Sequence, residues 1–127
     1  QVQATLENQG YTVYGVGYLT DEQGKQLDAV FVEMDTASRN LDEVMGEQAA
    51  LGWIALWQAY PDVGSAWTVL RYDLYLLCWG TSMADLEATL KGDLSSEEFS
   101  NRVTLVIIDS RTGQEVQPDD FASKNFQ

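Results

Sequence analysis

The hydrophobic pattern of the first 60 residues changes period twice. Residues 11–19, YTVYGVGYL, are rich in β-branched and aromatic side chains. They put Thr12, Tyr14, Val16 and Tyr18 on one face and Tyr11, Val13, Gly15, Gly17 and Leu19 on the other, which predicts a strand. TDEQGKQ carries turn chemistry. LDAVFVEMD then predicts a second strand, with Val30, Val32 and Met34 opposite Leu27, Ala29 and Phe31, so the two make a hairpin with a charged loop. Ahead of them Val2 and Leu6 stand four apart before Gly10, the pattern of a short helix.

From residue 40 the period lengthens. Asn40-Leu41-Asp42-Glu43 has the spacing of a capping box, and Leu41, Val44, Met45, Ala49, Gly52, Leu56 and Ala59 recur at helical steps. One long helix is predicted from about Leu41 to Ala59, stopped by Pro61. Gly46 and Gly52 inside it each cost up to about 1 kcal/mol relative to alanine, so they are expected where the helix comes close to the sheet. Gly15 and Gly17 are expected to admit a bulge or a large side chain such as Trp53 from that helix.

Residues 69–80, VLRYDLYLLCWG, are strongly apolar yet contain Arg71 and Asp73. On strand period, Leu70, Tyr72, Leu74, Leu76 and Cys78 form one apolar face, while Val69, Arg71, Asp73, Tyr75, Leu77 and Trp79 form the other. The pattern predicts one long central strand with a buried face and a half-covered one, and it puts Tyr72 and Tyr75 on opposite faces. Ser82 to Asp85 opens a short helix that ends at Gly92, and Ser95-Ser-Glu-Glu98 is a second capping box. A final strand is expected over about 102–109, followed by a tail from about residue 112 with no clear period. These elements predict a single α+β domain over residues 1–127: a two-layer sandwich with a mostly antiparallel sheet of about four strands, one long helix, and short helices on one face.

Composition narrows the function more than any motif does. Seven basic residues against 20 acidic ones give a net charge of −13, which repels a nucleic-acid backbone and an anionic membrane surface. The cations are scattered, with no basic cluster. With no histidine, imidazole-based catalysis and the common zinc sites are excluded. Cys78 is the single cysteine, so there is no internal disulfide from which to read a redox compartment; it is expected to be an inert buried thiol. No apolar run reaches the roughly 18 to 20 residues of a membrane span. The first residue is Gln1, as expected where a signal, anchor or tag has been removed.

Candidate chemistry is sparse. Arg71 and Asp73, two apart on the expected strand, read as an ion pair on an open sheet face or as the polar floor of a ligand groove. Glu33 and Asp35, with Asp28 on the other face, could hold a hard cation, but a chain with 20 acids produces such clusters by chance, and no metal site or cofactor is assigned. Trp57 with Tyr60 at the helix end, or Tyr14 with Tyr18 on the hairpin, could form an aromatic contact patch. The leading expectation is a non-catalytic protein-interaction or self-association module, with a basic protein or a second copy as partner. The alternative is a small-molecule or divalent-metal domain, hydrolytic in its strongest form, using Arg71, Asp73 and Glu33. No catalytic residue is assigned in either reading.

Overall fold

A computed structural model describes residues 1–36 and 44–125 of the chain. The fold is α+β, built on one six-stranded sheet in which each strand lies beside its neighbours in sequence. After helix α1 (Val2–Glu7) come β1 (Val13–Thr20) and β2 (Gln26–Asp35), an antiparallel hairpin. Its loop is tied by the Asp21 carboxylate, which accepts from the backbone N–H groups of Gln23 and Lys25, each at 2.9 Å. The chain crosses over through a π-helical turn (Val44–Gln48) and α2 (Ala49–Ala59) to β3 (Ser65–Tyr72), which runs parallel to β2. β4 (Tyr75–Ser82) returns antiparallel, followed by α3 (Met83–Leu90), α4 (Ser96–Arg102), β5 (Thr104–Asp109), the two-residue β6 (Glu115–Val116) and α5 (Pro118–Asn125).

One face of the sheet holds the core. Val30, Val32 and Met34 of β2, Leu70 of β3, Leu77 and Trp79 of β4 and Ile107 of β5 are buried there with Trp53 and Leu56 of α2. Thr68, with no exposed surface, donates its hydroxyl to the Ala49 carbonyl at 2.8 Å, pinning α2 to β3. Trp53 Nε1–H donates to the Trp79 carbonyl at 2.9 Å. The backbones meet closely at Gly52, where a Cβ would lie 2.3 Å from Thr68 Oγ1. Gly46, the other glycine expected at a close approach, has open space around it. The helix starts follow the sequence: Ser82 Oγ accepts from Asp85 N–H, and Ser95 Oγ from Glu98 N–H.

Several expectations are corrected. The sheet has six strands where about four were expected, and it is mixed: four pairings are antiparallel and β2–β3 is parallel. The long helix begins, within the described residues, as a π turn and is α-helical only from Ala49 to Ala59; the capping box at residues 40–43 lies outside them. The tail is a helix whose Phe121 is buried between Tyr72 and Tyr75, with ring centroids 5.9 and 5.0 Å away. Among the described residues that apolar anchor, on a segment with no clear apolar period of its own, docks the helix.

The largest correction concerns residues 69–80. They form not one strand but a hairpin, β3 and β4, joined through Asp73 and Leu74, with Asp73 at φ +52°. Tyr72 and Tyr75 are directly opposed across this turn, so they share the core face. A two-residue connection makes the inward positions even on β3 (Leu70, Tyr72) and odd on β4 (Tyr75, Leu77, Trp79). Leu76 and Cys78, expected on the buried face, therefore lie on the other one, and Leu74 is exposed at the turn.

Candidate functional site

The register of the sheet defines its second face. Reading across the strands, one row is Gly17, Phe31, Trp67, Gly80 and Thr104; the next is Gly15, Glu33, Val69, Cys78 and Val106; the third is Asp35, Arg71, Leu76, Ile108 and Glu115. Phe31, Trp67, Val69, Leu76, Cys78, Val106 and Ile108 are all half-buried. None of them belongs to the core cluster or packs against it. Each helix contact described above is made through the opposite face, so among the described residues these side chains cover only one another.

The glycines shape this face. Trp67 lies flat against Gly80, where a Cβ would come within 2.7 Å of three indole carbons, and Phe31 lies across Gly15 and Gly17 at 3.7 and 3.9 Å from where their Cβ atoms would be. A large ring beside a glycine on the neighbouring strand covers backbone that would otherwise be bare, as in aromatic rescue. Gly15 and Gly17 thus admit a large side chain, as expected, but it is Phe31 and not Trp53. Both rings are held low, leaving the face broad and apolar.

Its charges are Glu33 in the middle row and Asp35, Arg71 and Glu115 in the third. Arg71 Nε donates to Glu33 Oε2 at 2.6 Å, and the Arg71 guanidinium lies 3.5 Å from the centre of the Tyr14 ring. The hydrogen bond to Glu33 raises the Arg71 pKa further above its usual value. A register shift between Val13 and Gly15 brings Tyr14 out of alternation with Val16 and Tyr18. Burial, with the Glu33 charge one strand further off, pushes the Cys78 thiol up to about 11.

The sequence-selected residues therefore fall in three places. Arg71 and Glu33 come together on the open face; Asp73 is in the β3–β4 turn and is not on a strand face with Arg71. Trp57 packs half-buried against the core, and Tyr60 caps α2 with its ring edge-on to Tyr18 at 5.4 Å. Tyr14 and Tyr18 do not form a joint patch, since one lies against Arg71 and the other against Tyr60. Asp28, at the start of β2, accepts from Gly64 N–H at 2.9 Å. The pattern reading missed Phe31, Trp67, Val106 and Ile108 as a surface. The pairing of Phe31 and Trp67 with strand glycines was the available signal, and it appears only once the register is known. Comparison with protein-family models, curated proteins and solved structures returns no match.

Proposed function

We propose that the protein is a non-catalytic self-association module whose contact surface is the uncovered face of the sheet. The observation that carries this reading is a continuous apolar face across the central strands of a chain with a net charge of −13, its one central charge neutralised by Arg71. A half-exposed apolar face that no helix covers among the described residues suits a contact site. A second copy is the favoured occupant: this is where two strongly acidic molecules meet with least repulsion, and a flat sheet face fits another such face at about 10 Å spacing. A basic protein would be drawn instead to the acidic remainder of the surface.

Salt separates the two readings. Apolar contact between like-charged copies strengthens as salt screens their repulsion, whereas capture of a basic partner weakens. Light scattering after size exclusion should show a dimer fraction that rises with sodium chloride. Val69→Lys, at the centre of the face, should abolish it even though the substitution lowers the net negative charge. A monomer at all salt concentrations, or a dimer that Val69→Lys leaves intact, overturns the proposal.

A further inference from the structure

The two edges of the sheet are built differently. At one end β6 is two residues long, carries Glu115 and is followed closely by Pro118, so little of it is open to another strand. Short, charged or proline-bearing edges are the usual guards against unwanted pairing. At the other end β1 is eight residues long and has neither charge nor proline, in a chain that is 21% charged. Among the described residues no strand lies beyond it, so its outward main-chain N–H and C=O groups face no ladder. Tyr14 and Tyr18 on this strand are 46% and 39% exposed. Register shifts between Val13 and Gly15 and between Tyr18 and Thr20 bend its ends, while residues 15–18 keep unbroken pairing with β2.

A depression of about 620 Å³ opens beside this edge, on the helix side of the sheet. Val16 of β1, Val2 and Ala4 of α1, and Ala59 and Tyr60 at the end of α2 give it apolar walls. Glu7 is the one charged side chain among the described residues that line it. Its carboxylate is exposed and accepts a long bond, 3.4 Å, from Gln3 Nε2. An apolar trough with one carboxylate in its wall suits lysine or arginine, whose stem lies along apolar surface while its head meets the charge.

We propose that β1 accepts an extended basic segment of a partner protein as an added strand, with one lysine or arginine side chain lying in the depression against Glu7. Open edges bind in this way: main-chain hydrogen bonds supply affinity, and pockets for alternate side chains supply specificity. The occupant is basic because the chain carries a net charge of −13 and the described lining adds only a negative charge. A second copy is a poor occupant, since its own β1 would bring no cation to Glu7. The contact uses main-chain groups of β1 and the helix side of the sheet, so it stands or falls separately from self-association through the open face.

The probe is a fluorescein-labelled peptide of alternating valine and lysine, followed by anisotropy at physiological salt, where screening limits general attraction to an acidic chain. Saturable binding is expected. The same peptide N-methylated at every amide keeps its charge but cannot donate to β1, and should bind at least about tenfold more weakly, the factor of one or two hydrogen bonds. Glu7→Lys should weaken binding of the unmodified peptide by a similar factor, because it turns an attraction into a repulsion. Asp120→Lys, the same change of charge on α5, should not. Both positions are exposed, so neither change threatens the fold. In a nitrogen–proton correlation spectrum the amide shifts should concentrate at residues 15–18. No saturable binding, equal affinity of the N-methylated peptide, equal loss from Asp120→Lys, or shifts centred away from β1 overturns the proposal.

Discussion

Gly52→Ala sets helix propensity against packing, and the structure decides the sign. On propensity alone the change should stabilise α2 by about 1 kcal/mol. In the fold, however, the new methyl would sit 2.3 Å from Thr68 Oγ1 and 2.8 Å from Thr68 Cγ2. Thr68 has nowhere to turn. It is β-branched, has no exposed surface, and is held by its bond to the Ala49 carbonyl. Overpacking costs about 1 to 3 kcal/mol, and loss of the Thr68 hydrogen bond adds about 1 kcal/mol. Set against the propensity gain, the net is a loss of about 1 to 3 kcal/mol, read as a lower urea midpoint at unchanged slope. In a Thr68→Ala background the nearest remaining side-chain atom is Thr68 Cβ at 3.1 Å, so the same substitution should cost far less there. The cycle should therefore show a coupling of about 1 to 2 kcal/mol. Stabilisation by Gly52→Ala in the native background, or additivity of the two changes, would refute the close approach of α2 to β3.

Three further outcomes are expected. Gly80→Ala pushes the Trp67 indole off the sheet, which should shift its fluorescence to the red and cost about 1 to 2 kcal/mol by denaturant unfolding. Phe121→Ala removes the ring between Tyr72 and Tyr75 and should cost about 3 kcal/mol, with hydrogen exchange in α5 rising first because that ring anchors the helix to the sheet. Cys78, its thiol raised to about 11, should react with iodoacetamide at pH 8 about two orders of magnitude more slowly in the folded chain than in urea. Because the folded value lies above the unfolded one, this thiol's contribution to stability is fully present below the unfolded pKa, near 8.5, and is lost as pH rises through the folded value. Cys78→Ser should accordingly flatten the alkaline limb of the stability profile.

The sequence by itself determined the elements whose signals are local. The β1–β2 hairpin, the capped starts of α3 and α4, the α-helical part of α2 and the α+β class follow from hydrophobic period and capping chemistry, which act over a few residues. The net charge and the absence of histidine are likewise properties of composition alone. The β3–β4 turn was not legible, because Asp73-Leu74 lacks the glycine that usually marks a two-residue hairpin, and RYDLYLL alternates as one strand would. Missing that turn sent Leu76 and Cys78 to the wrong face, and with them went the surface now proposed to self-associate. The pairing of Phe31 with Gly17 and of Trp67 with Gly80 depends on register between strands 14 and 13 positions apart, and the fate of Phe121 depends on two tyrosines more than 40 residues away. Local pattern fixes which way a side chain faces within its own element; only the tertiary structure decides what, if anything, lies opposite it.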